Sequence, residues 1–167
     1  MPREIYVIWY HDHPFPAHWS LFIPSLAAPR IGKVLHATGS VASGFELQIK
    51  RNYEVNVRAD GKPVDVTRVK EEMVSLGEIA DEDAIDTPGD GTYVEVGVEG
   101  VCEGCRIEKA ATEVPMPTKS LNSGIGGKGA RVKVKNCQDW IQDLVRRLVN
   151  DKVLPVTAMD VLGGVSK

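Results

Sequence analysis

The chain of 167 residues has little cysteine and few aromatics: three Cys, three Trp, four Tyr and three Phe. Cys102, Cys105 and Cys137 are an odd set, too small for an extracellular disulfide framework, so at least one thiol is expected to be free. No run of about 18 apolar residues occurs, which a membrane-spanning helix would require. The opening stretch, Met1 to His11, turns polar again too soon for a secretory signal. These absences predict a soluble, cytoplasmic protein with no membrane span. Internal repeats and an obvious linker are also missing. At 43% hydrophobic and 26% charged, the composition excludes disorder and collagen-like structure and predicts one domain over residues 1–167 with a buried core.

Charge is segregated beneath a net value of −3. From Glu71 to Glu103 there are eleven acids and no Lys or Arg, whereas Val114 to Asn136 holds Lys119, Lys128, Arg131, Lys133 and Lys135 with no acid. The pattern reads as two solvated faces able to attract each other. Nucleic acid is not expected as a partner, because the larger acidic stretch repels phosphate.

Ile5 to Tyr10, His18 to Ile23, Lys33 to Thr38 and Phe45 to Ile49 read as four strands of an antiparallel sheet. Asp65 precedes Val66, Val69, Met73 and Leu76, a helical stripe that stops at Gly77, and predicts a short amphipathic helix. Tyr93 to Val98 and Arg131 to Lys135 alternate as further strands, and Cys102 to Ala111 leans toward helix. The Gly-rich stretch Ser120 to Gly129 lacks the Gly-Lys-Ser/Thr ending of a phosphate-binding loop and reads as a plain loop. Cys102-Glu103-Gly104-Cys105 has half the spacing of a zinc site but no second pair, so its thiols read as incidental. His11-Asp12-His13, flanked by Pro14 and Pro16, reads as a solvated turn. No metal or organic cofactor is expected.

The most periodic helix begins at Cys137. At 100° per residue, Trp140, Ile141, Leu144, Val145 and Leu148 fall within about 80° of Cys137, so the cysteine shares the apolar stripe. A cysteine there is commonly a small core residue. A first-turn position also favours the thiolate, which is the nucleophile. Two histidines shift the balance toward chemistry. If residues 24–32 connect a hairpin, positions whose numbers add to about 54 to 56 face each other, and His18 and His36 then share one face as direct or diagonal neighbours. Two imidazoles supply a base and a group to orient it.

His18-Trp19 opening a strand, His36 on the next strand, and Asn136-Cys137 opening a helix resemble the circularly permuted papain-like enzymes. The pattern is most similar to the lecithin:retinol acyltransferase-like group, with His-Trp, a strand His and Asn-Cys-Glu-His-Phe; the permuted-papain isopeptidases carry Asn-Cys-Asn-His-Phe. The helix start also resembles that of uncharacterised small fungal proteins with Asn-Cys-Gln-x-Trp. The resemblance rests on three short segments and implies Cys137 as nucleophile, His18 as general base and His36 as the orienting or polarising residue. It departs at Gln138-Asp139-Trp140, which replaces Glu-His-Phe, and in lacking an apolar C-terminal anchor.

The expected fold is α+β, an antiparallel sheet packed against a central helix carrying Cys137 in a permuted papain-like arrangement. The expected function is cysteine-dependent acyl transfer, by a thiol hydrolase or acyltransferase acting on a small-molecule, acyl or peptidyl substrate. Trp19, Trp140, Asn136 and Gln138 are the candidate substrate contacts. Two alternatives stay open: a small-molecule cyclase or isomerase using the histidines for proton transfer, and a non-catalytic binding module with the same cleft.

Overall fold

Alternation along β1 (Arg3–Tyr10) and β2 (His18–Pro24) sorts their side chains onto two faces. Ile5, Val7, Trp19, Leu21 and Ile23 enter the main core, while Ile8 and Phe22 join Val34 and Val55 on the reverse face. A computed structural model describes residues 1–10, 16–55, 71–86, 93–95, 102–119 and 135–165. With β3 (Ile31–Ser40), β4 (Gly44–Glu54), β5 (Glu71–Ile79) and β6 (Tyr93–Glu95), these strands form a six-stranded sheet in the order β5-β1-β2-β3-β4-β6. Every pairing is antiparallel. The expected His11-Asp12-His13 turn, the Gly-rich loop, residues 65–70 and 96–98, and most of the strand expected at Arg131 to Lys135 lie outside the described residues.

Among the described residues, three α-helices complete the α+β fold: α1 (Arg106–Glu113), α2 (Cys137–Asn150) and α3 (Thr157–Gly163). The predicted stripe of α2 is the one buried, with Trp140, Ile141, Leu144, Val145 and Leu148 fully enclosed. It packs on β2 and β3, α3 packs on β5, and α1 packs on α2. Burying side chains of this size contributes about 1.5–3 kcal/mol each, far more than the helix propensity of the same residues. No described helix is long and apolar enough to cross a membrane.

The helix expected from Asp65 to Gly77 is corrected over its described part, where residues 71–79 form the edge strand β5 paired with β1. The period is 2 with a slip. Val74 and Leu76 point to the core, Met73 lies on the reverse face, and the register shifts between Ile5 and Tyr6 opposite Gly77, so that Ile79 is the next core residue. Met73 and Leu76, three residues apart as on one face of a helix, lie on opposite faces of the strand. Gly77, expected to end a helix, has φ +122° in the irregular strand, and a Cβ there would stand 2.6 Å from Pro155 Cγ. Glycine therefore admits both the bulge and the close approach of the segment leading into α3.

Much of the described acidic tract is solvated, with Glu72, Glu78, Glu82 and Glu103 exposed. Asp81 and Asp86 pair with Arg3, which is itself buried, and Asp83 pairs with Arg106 at 2.7 Å. Lys135 of the basic tract pairs with Asp143 of α2. Asp81, Asp83 and Asp86 thus bind cations outside the basic tract.

Glu108 of α1 is wholly buried against Lys33 of β3 and Arg51 of β4, its Oε2 lying 3.0 Å from Arg51 Nη2. The same oxygen accepts the backbone N–H of Cys102 at 2.8 Å. This cluster ties α1 to the sheet. Glu108→Ala leaves two buried cations without their carboxylate and is expected to cost about 3–5 kcal/mol. A urea midpoint is the measurement, and a loss below about 1 kcal/mol would contradict the assigned role.

Candidate functional site

The hairpin of β2 and β3 is in the register inferred from sequence. Leu21 faces Leu35 and Pro24 faces Gly32, so paired numbers add to 56 and His18 is a diagonal neighbour of His36. The two imidazoles touch: His18 Nε2 lies 2.8 Å from His36 Nδ1, with ring planes at 85°. Tyr10, directly opposite His18 on β1, packs its ring 5.2 Å from the His18 ring. Gln48 faces His36 from β4.

The ladder between β2 and β3 runs from Leu21/Leu35 to Pro24/Gly32, and the first turn of α2 meets β2 beyond its end. Gln138 Nε2 donates to the carbonyl of Ala17 at 2.8 Å, and the Cys137 sulfur receives the backbone N–H of Trp19. The thiol is therefore held at the peptide that joins His18 to Trp19. Asn136 Oδ1 accepts the N–H groups of Gln138 (2.9 Å) and Asp139 (3.2 Å), while Asp139 Oδ2 accepts that of Asn136 (3.0 Å). This reciprocal capping box sets where the helix starts and so where the thiol sits.

Burial governs the protonation of all three groups. It pushes His18 down to about 4, aided by the charge of Lys50. It pushes His36 down to about 3, aided by His18 and Lys50 and opposed by the neighbouring Gln48 side chain. Burial also raises the Cys137 thiol; the N–H groups of Trp19, Gln138 and Cys137 pull the other way and the Asp139 charge adds to the rise. The helix terminus was expected to favour a thiolate, but desolvation outweighs it. The thiol and both imidazoles are thus neutral at rest; alternation along β2 and β3 sets His18 and His36 on the face of Ile8, Phe22 and Val34, while Cys137 packs against the main core.

The expected substrate contacts serve the scaffold instead. Trp19 and Trp140 are completely buried, and Trp140 Nε1 donates to the carbonyl of Val114, so neither walls a cleft. Asn136 caps α2 and Gln138 clamps it to Ala17. An open groove of about 290 Å³ instead follows β3 and β4 beyond His36, lined by Thr38, Gly39, Ser43, Gly44, Phe45 and Glu46. Sequence reasoning missed Tyr10, Gln48 and Lys50 around the imidazoles; pairing the expected strand at Phe45 to Ile49 with β3 was the signal for Gln48. Among the described residues, no group of three or more His, Cys, Asp or Glu side chains is placed to hold a metal ion.

Both histidines lie below their ordinary value of 6.5, so the unfolded chain binds more protons as pH falls through 6.5 toward 3. Their contribution to stability is complete above about pH 6.5 and is lost progressively below it. The urea midpoint is expected to decline from pH 6.5 to 4, less steeply in a His18→Gln/His36→Gln double variant. NMR titration showing either imidazole protonating near 6.5 would contradict this account.

No curated protein and no solved structure matches the chain. Residues 5–155, which span most of β1, all of β2 to β6, α1 and α2, match the Family of unknown function (DUF6540), and the chain belongs to that family.

Proposed function

We propose that the protein is a cysteine-dependent acyl-transfer enzyme with Cys137 as nucleophile, His18 as general base and His36 as the residue that orients it. The observation that carries the proposal is the pairing of His18 Nε2 with His36 Nδ1 at 2.8 Å; the Cys137 sulfur meets the same strand from the main-core side at Trp19, where the ladder between β2 and β3 has ended. With Nε2 committed to His36, Nδ1 of His18 is the nitrogen left to take the thiol proton. The order of the three residues along the chain, strand His, strand His and helix-start Cys, is what supports the permuted papain-like reading of the fold.

In the proposed reaction the neutral imidazole removes the proton as sulfur attacks the carbonyl carbon of a thioester, ester or amide. The developing imidazolium is stabilised through its bond to His36. His18 returns the proton to the leaving group, and water or an amine then resolves the acyl-enzyme. Backbone N–H groups at the start of α2 are candidates to stabilise the tetrahedral oxyanion.

The raised thiol also suits a second reading, in which the imidazole pair transfers protons without covalent catalysis, as in a cyclase or isomerase. An activated ester such as p-nitrophenyl acetate separates the two. A burst of nitrophenol with an acetyl group mapped to Cys137 is expected, and His18→Ala should slow acylation by about 10²–10⁴. Because His18 stays neutral down to about 4, the acid limb of the acylation rate should fall near that pH. Absence of label on Cys137, or acylation indifferent to His18→Ala, would overturn the proposal. Turnover surviving Cys137→Ala would favour proton transfer.

A further inference from the structure

Cys102 and Cys105 lie in a different part of the molecule, where α1 meets the sheet. They bracket a turn in which the N–H of Cys105 donates to the carbonyl of Cys102 at 3.1 Å and Gly104 takes φ +85°. A turn closed in this way keeps its end Cα atoms within about 7 Å. A disulfide requires a Cα separation of about 4.4–6.8 Å. The fold therefore pre-assembles the two ends of the bond while both thiols are free.

The two sulfurs have unequal surroundings. Cys102 is half-buried, with its Sγ 3.6 Å from the carbonyl of Glu103, and offers the entry point from solvent. Cys105 is buried as the N-cap of α1, its Sγ lying 3.6 Å from the carbonyl of Asp83 and 3.8 Å from Lys33 Nζ. The Glu108 carboxylate that binds the Cys102 amide also neutralises Lys33 and Arg51, so the turn is anchored to the buried charge cluster on one side. One half-buried thiol and one enclosed partner held across a turn is the layout of an attacking and a resolving cysteine.

We propose that Cys102 and Cys105 form a reversible redox pair, oxidised to an intramolecular disulfide by a low-molecular-weight disulfide of the glutathione type. The Cys102 sulfur attacks one sulfur of the oxidant, forming a mixed disulfide and expelling one glutathione thiolate. Cys105 then attacks the Cys102 sulfur and expels the second. Two protein thiols are oxidised, the oxidant is reduced to two thiols, and the two protein protons end on them. Burial and then the Glu108 charge raise the Cys102 thiol, with Lys33 and Arg51 opposing and Cys105 adding to the rise. The first exchange is accordingly slow at neutral pH and is best followed at about pH 8.5.

The full chain and its Cys137→Ala variant are equilibrated with oxidised and reduced glutathione, acid-quenched, unfolded and alkylated with maleimide. Peptide mass mapping should show loss of both Cys102 and Cys105 as alkylatable thiols, a cross-link between them, and full recovery with dithiothreitol. Cys105→Ser should accumulate glutathione on Cys102, and Cys102→Ser should leave Cys105 unmodified. The result in the Cys137→Ala background is expected to be the same, which separates this proposal from the acyl-transfer reading. Stable glutathione on Cys102 of the wild type without a cross-link, or Cys105 remaining alkylatable at full oxidation, would overturn it.

Discussion

The candidate site depends on the docking of the first turn of α2 onto the start of β2. The Gln138 amide grips the Ala17 carbonyl, the Trp19 amide reaches the Cys137 sulfur, and the capping box of Asn136 and Asp139 sets the helix start between them. Each contact is worth only about 1 kcal/mol net. Their joint effect is positional: they bring a helix thiol to the backbone of the strand that carries His18. The enclosed apolar stripe of α2 supplies the larger free energy that makes this docking stable.

Burial then decides the electrostatics. A helix N-terminus stabilises a nearby negative charge by about 0.3–1 kcal/mol at an exposed site. Taking a thiolate or an imidazolium out of water costs more, and all three groups move toward their neutral forms. A neutral imidazole accepts a proton and a neutral thiol supplies one, so the resting state is suited to proton transfer coupled to attack. A pre-formed ion pair is not part of it. Lys50, near both rings, reinforces their neutrality.

The opposite end of the fold relies on charge held inside the core. Glu108 on α1 joins two cations from adjacent strands, and Arg3 on β1 draws in Asp81 and Asp86 from the segment after β5. These contacts fasten irregular segments to a sheet whose own ladder cannot reach them. Alternation and helical periodicity carry no trace of them, because each joins residues that are distant in the chain.

The local sequence determined the first four strands, the onset and buried stripe of α2, and the register that makes His18 and His36 neighbours. Those features follow from periodicity, capping chemistry and hairpin geometry, all of which act over short stretches of chain. Tertiary structure alone decided that residues 71–79 are a strand, since pairing with β1 and the bulge at Gly77 overrode a spacing that also fits a helix. It decided that Trp19, Trp140, Asn136 and Gln138 build the scaffold, because they are consumed by packing, capping and clamping. It decided the protonation of Cys137 as well, because a group's charge depends on how much water the surrounding fold leaves around it.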